Sequence, residues 1–167
     1  MRQNADVQGG QLWREPGVLL DQGWVAANKA SPPARWRADE AKHALNVQAL
    51  DTMQATTRGL RRSAYAGPMV EADGSLSDTV WLAVPYFERG QFGGNYVAAL
   101  SLEQAVRALV PAWFAQEHRV RLVLDEGEAP ALLGPSGQRP YRAAMNLAGT
   151  DVFLEVVPLK EQPATVP

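Results

Sequence analysis

Apolar and polar positions change period several times along the chain, and each change marks an element. Gly23-Trp24-Val25-Ala26-Ala27 reads as a short strand, and Asn28-Lys29 as the turn after it. Gln11 to Leu20 is interrupted by Pro16-Gly17, and Ser31-Pro32-Pro33 is loop. Asp39 to Leu60 carries the clearest helical period, with Leu45, Leu50, Met53 and Leu60 on one stripe. That stretch is one helix, or two divided near Asn46 to Asp51 with Asp51 capping the second. From Ser63 the period shortens towards two. Ser63 to Val70 is extended, and Asp73-Gly74 is a tight-turn signal. Asp78 to Phe87 sets Thr79, Trp81 and Ala83 against Val80, Leu82 and Val84. Arg89-Gly90 turns the chain, and Gln91 to Leu100 returns, so the two strands make a hairpin.

The second half alternates in the same way. Ser101 opens a helix and Gln104 stands three residues on, as a capping box requires. Val106, Leu109 and Val110 supply its apolar face, and Pro111 ends it or starts a short second helix through Phe114. Arg119 to Asp125 is a strand, Glu126-Gly127 turns it, and Pro130 to Pro140 is a Gly- and Pro-rich loop. Tyr141 to Leu147 and Thr150 to Pro158 are the last two strands, joined across Ala148-Gly149. The order predicts an α+β domain: an antiparallel sheet of about five strands with the N-terminal and connecting helices packed on it. Residues 1–10 read as a flexible end, 11–158 as one domain, and 159–167 as a flexible tail.

Composition narrows the chemistry more than it selects a function. With 46% apolar and 20% charged residues, the 167-residue chain has enough to bury a single core. The net charge is −2 and no basic run exceeds Arg61-Arg62, so no nucleic-acid footprint is present. There is no Cys, and only two His, which argues against a dedicated zinc site and removes thiol chemistry. No apolar run approaches the roughly 20 residues a membrane span needs, and the start is polar rather than signal-like. Gly90 to Gly94 and Gly134 to Gly137 lack the Lys-Ser/Thr ending of a phosphate loop. No Ser has the strand–turn–helix setting of a nucleophile elbow. Asp39 and His43, four apart, are the one acid–base pair, and leave a small hydrolase as an alternative.

Three consecutive segments carry a family resemblance. Val80 to Phe87 ends in a Val-Pro step, Gly90-Gln91-Phe92-Gly93-Gly94 follows, and Tyr96 to Leu102 returns into a helix. Ala105 to Pro111, Trp113-Phe114-Ala115 and Val120 to Asp125 then succeed one another in order. This resembles the extracytoplasmic PAS-like sensor domains, also called PDC or Cache domains, of bacterial two-component histidine kinases. It looks most like kinases related to the C4-dicarboxylate sensors. The resemblance covers residues 60–158, with the family's long membrane-proximal helix absent or truncated before that. It implies a PAS-like fold, a small-molecule pocket on one sheet face, a periplasmic setting and a homodimer. It also implies anchoring by flanking transmembrane helices, and no cofactor, metal or catalytic role for the domain itself.

The resemblance also singles out positions. In carboxylate-sensing relatives an Arg about four residues before the Val-Pro proline reaches the ligand carboxylate. Trp81 stands there in this chain, so the expected ligand is an organic acid or an aromatic compound, with a dicarboxylate one option among several. Trp24, Tyr65 and Trp81, with Ala83 on the same side of its strand as Trp81, are candidates for an aromatic pocket. Asn28 and Lys29 stand where relatives carry polar pocket residues. Arg61, with Arg58 and Arg62 beside it, is the candidate anion receptor, although cations at a helix end also favour its dipole. The alternative to sensing is a ligand-free dimerisation or interaction module.

Overall fold

A computed structural model describes residues 15–27, 43–125, 127 and 133–160. The expected turn at Asn28-Lys29, the loop at 31–33, Asp39 and both chain ends lie outside the described residues. The elements are β1 (Leu19–Ala26), α1 (Ala44–Leu60), β2 (Ala64–Ala66), β3 (Thr79–Glu88) and β4 (Gln91–Ser101). They continue with α2 (Leu102–Leu109), α3 (Ala112–Glu117), β5 (His118–Val123), β6 (Tyr141–Ala144) and β7 (Phe153–Pro158). The class is α+β, as expected, but the strands form two antiparallel sheets. One has the order β1-β4-β3-β2 and the other β5-β7-β6.

The first sheet is built on the β3–β4 hairpin. Its two-residue loop places Arg89 at φ 51° and Gly90 at φ 79°, a type I′ pair whose twist suits a hairpin. Pro85 sits inside β3 without disrupting the sheet. Trp81 and Ala83 direct their amides towards β2, and Pro85 points the same way, beyond the last paired residue of that short strand. β1 adds along the other side of β4, from Leu19 opposite Leu100 to Ala26 opposite Gly94. Leu20 is the extra residue of a bulge there.

Side-chain alternation gives this sheet two distinct faces. Trp81, Ala83, Val97, Ala99, Ala64 and Ala66 pack against Leu50 and Met53 of α1. α1 is one unbroken helix, not two. Its buried stripe is Asn46, Leu50, Met53 and Thr57, spaced four, three and four residues apart. The expected stripe is therefore shifted, and Leu45 and Leu60 are exposed. Asn46 is tolerated in the core because its amide completes a strand-like pair. Its Nδ2 donates to the Val70 carbonyl at 2.9 Å and its Oδ1 accepts from the Val70 amide at 2.7 Å. His43 caps the helix start, accepting from the Leu45 amide at 3.3 Å, and Arg61 ends the helix in the left-handed region.

The opposite face is partly covered by the second sheet. Val80, Leu100 and Leu82 pack with Leu122, Met145, Leu147 and Val152 in a second core. The chain reaches that sheet through α2 and α3, which carry it away from β4. Ser101 caps α2 as expected, accepting from the Gln104 amide at 3.2 Å. Asp78, at the foot of β3, strengthens the cap by accepting from Ser101 Oγ at 2.6 Å and the Glu103 amide at 3.0 Å. In the second sheet Glu155 of β7 is buried directly between Arg121 and Arg142 on its two neighbouring strands. Arg121 Nε and Arg142 Nε reach its carboxylate at 3.2 and 3.0 Å. Burial alone would push that carboxyl up, but the two guanidinium hydrogen bonds and charges outweigh it and hold it below its ordinary value.

Candidate functional site

The sequence-based candidates do not converge. β1 and β2, which carry Trp24 and Tyr65, are the outermost strands of a four-stranded sheet, roughly 14 Å apart at ordinary strand spacing. Trp81 points to the other face. The register aligns Trp24 with Tyr96 and Tyr65 with Leu82, whereas Trp81 aligns with Ala99 and Ala66. An aromatic pocket shared by Trp24, Tyr65 and Trp81 is thereby ruled out by alternation along the strands. Trp81 and Ala83 are wholly buried beneath α1. Trp24 is partly exposed, edge-on to Tyr96 at 4.9 Å and Tyr86 at 6.1 Å. Asn28 and Lys29 lie outside the described residues.

The three arginines after α1 separate in the same way. Arg58 lies over the Phe92 ring at 5.3 Å and Arg61 over the Phe87 ring at 4.2 Å. They fasten the end of α1 to the tip of the β3–β4 hairpin through cation–π contacts. Arg61 is thus engaged with an aromatic ring and does not face the groove described next. Arg62 does.

That groove, of about 510 Å³, runs between α1 and the β2 edge. Leu45, Ala49, Thr52 and Thr56 line it from the helix, at spacings of four, three and four residues that place them on one face. Ala64 to Pro68 line it from the strand, and the Ala148-Gly149 turn of the β6–β7 connection forms a further wall. Arg62 lies at the Ala64 end, and Asn46 and Val70 at the other. Among the described residues no acidic side chain pairs with Arg62. Tyr65 also lines this groove, so among the described residues it and Arg62 are the sequence-based candidates found there; the Tyr65 ring packs with the second core. Partial burial of that ring pushes its phenol above the ordinary value.

The groove also lies where the two sheets meet. The Tyr65 amide points away from β3 and donates to the Ala148 carbonyl at 2.8 Å. Gly149 follows with φ 99°, and a Cβ there would stand 2.7 Å from the Tyr65 carbonyl oxygen. Only glycine allows this approach. The helical spacing of Leu45, Ala49, Thr52 and Thr56 was available in the sequence. Its pairing with Ala148-Gly149 was not, because those residues are 92 to 104 positions away.

The rest of the chemistry is sparse. Among the described residues, no group of three or more His, Asp or Glu side chains could hold a metal ion. No described helix is long and apolar enough to cross a membrane. His43 is engaged as the α1 cap, outside the helix proper.

No protein-family model matches the chain, and no curated protein matches it. Among solved structures, one similar chain is the ligand-binding domain of the amino-acid chemoreceptor PctC of Pseudomonas aeruginosa PAO1, in complex with GABA. It is 14% identical, and the overlap covers 83% of this chain and 74% of that one at a TM-score of 0.38.

Proposed function

We propose that this domain senses a small molecule on the extracytoplasmic side of a bacterial inner membrane, as part of a membrane-anchored histidine kinase. The observation that carries ligand binding is the groove between α1, β2 and the Ala148-Gly149 turn. Its volume of about 510 Å³ falls in the range of small-molecule sites, and its walls are apolar with a few polar groups. The kinase and membrane setting rests on the order of motifs between Leu60 and Pro158. Because the groove takes walls from both sheets, a ligand that fits one arrangement of them better shifts the population towards it. β7 belongs to the second sheet and leads directly to the C-terminal end of the described chain, which gives such a shift an exit.

A thermal-shift screen of organic acids, aromatic acids and amino acids tests the proposal. At a hundredfold excess over Kd, a ligand adds about 2.7 kcal/mol. For a domain of this size that raises Tm by roughly 5–11 °C. Thr52→Trp, at an exposed position on the groove wall, should abolish the shift and leave the unliganded Tm nearly unchanged. A folded protein that no compound stabilises ends the sensing reading.

One further observation favours association as a second reading. Trp24, Val84, Tyr86 and Tyr96 form an exposed apolar patch on the sheet face opposite α1. Sedimentation equilibrium would find a homodimer that Tyr96→Glu dissociates if this face joins two copies; a monomer at all concentrations removes the idea.

A further inference from the structure

Taking the groove as the binding site, we infer that its ligand is a monocarboxylate with an apolar body, rather than a dicarboxylate or an amino acid. The inference follows from which polar groups in the groove are still available. Asn46 spends both ends of its amide on Val70. The Thr56 hydroxyl donates to the Thr52 carbonyl at 2.8 Å, and the Ala148 carbonyl accepts from Tyr65. Pro68 has no amide to offer. Of the side chains at the helix wall and the groove's end, Arg62, the Thr52 hydroxyl and the exposed Gln48 remain unspent.

Arg62 is the single cation among the described lining residues, and no acidic residue stands with it. One guanidinium satisfies one carboxylate, with two parallel N–H···O bonds available. A second carboxylate on the ligand would find no second cation, and its neighbours along the groove would be Leu45, Ala49 and Val70. An ammonium group would likewise find no anion. A hydrocarbon or aromatic body, by contrast, gains from covering Leu45, Ala49 and Pro68.

Calorimetric titration of the 167-residue chain with a matched set decides the matter: hexanoate, hexanamide, adipate and 6-aminohexanoate, with phenylacetate and phenylacetamide as the aromatic pair. Each acid should bind at least about tenfold more tightly than its amide, the factor that 1.4 kcal/mol represents. Hexanoate should also exceed adipate and 6-aminohexanoate. Arg62→Gln should remove the preference for acid over amide while amide binding stays within about twofold. Equal binding of acid and amide to the unaltered protein, with both lost in Thr52→Trp, overturns the ligand class and leaves the groove standing as a sensing site. Tighter binding of adipate or of 6-aminohexanoate overturns the class as well. Acid binding that persists in Thr52→Trp overturns the groove itself, and with it both readings.

Discussion

Gly149→Ala and Gly59→Ala are the same chemical change with opposite expected signs. At Gly149 the backbone has φ 99°, and the new Cβ would lie 2.7 Å from the Tyr65 carbonyl oxygen. The unfavourable backbone conformation costs on the order of 1–3 kcal/mol. Relief of the clash requires the turn to withdraw from β2, which loosens the Tyr65–Ala148 hydrogen bond and costs about 0.5–1.5 kcal/mol more. A total near 3 kcal/mol corresponds to a fall in Tm of roughly 6–12 °C. Gly59, inside α1, has nothing within 4 Å of an added Cβ. Alanine there should stabilise by about 0.5–1 kcal/mol through helix propensity and a less flexible unfolded chain. Urea denaturation and differential scanning calorimetry measure both. Hydrogen exchange of the Tyr65 amide localises the effect, since it should quicken in Gly149→Ala beyond the global loss of stability. A Gly149→Ala protein as stable as the unaltered one, with Tyr65 exchange unchanged, would falsify the close approach that joins the two sheets beside the groove.

Glu155→Gln should destabilise by about 2–3 kcal/mol, because it leaves Arg121 and Arg142 around an uncharged partner in a largely buried site. The folded-state carboxyl is held below its ordinary value, so its stabilising contribution is complete above the unfolded-state pKa of about 4.3 and is lost as pH falls through the folded value. Acid titration of stability should therefore show a steeper fall below about pH 4 in the unaltered protein than in Glu155→Gln. Asn46→Ala strands the Val70 amide and carbonyl and should cost about 2–3 kcal/mol in chemical denaturation; a loss below about 0.5 kcal/mol contradicts the pairing. Arg89→Asn should stabilise by about 0.5–1 kcal/mol, since asparagine adopts the left-handed conformation of this hairpin turn more readily than arginine.

Local signals in the sequence specified local structure well. Arg89-Gly90, Asp73-Gly74 and Ala148-Gly149 mark turns because few residues tolerate positive φ, and alternation from Thr79 to Leu100 marks a hairpin because strand periodicity is two. The Ser101 cap was equally legible, since the bond spans three residues. Of the two readings of α1 the single helix holds; the polar Asn46 that suggested a break is buried through a bond to Val70, twenty-four residues away, and no local rule foresees that partner.

The candidate site was legible only in part. Tyr65 and the arginine cluster were picked out, but tertiary placement turned Arg61 onto Phe87 and left Arg62 at the groove. Trp81 and Ala83 went beneath α1, and Trp24 to the far strand on the opposite face, because strand order and pleat decide which side chains meet. By itself, then, the sequence determined the α+β class, the hairpin, the turns at Asp73-Gly74, Arg89-Gly90 and Ala148-Gly149, and the Ser101 cap, all of which follow from interactions within a few residues. The division into two sheets, the paired burial of Glu155 and the groove at Ala148-Gly149 depend on contacts between distant segments, whose geometry exists only once the chain has packed.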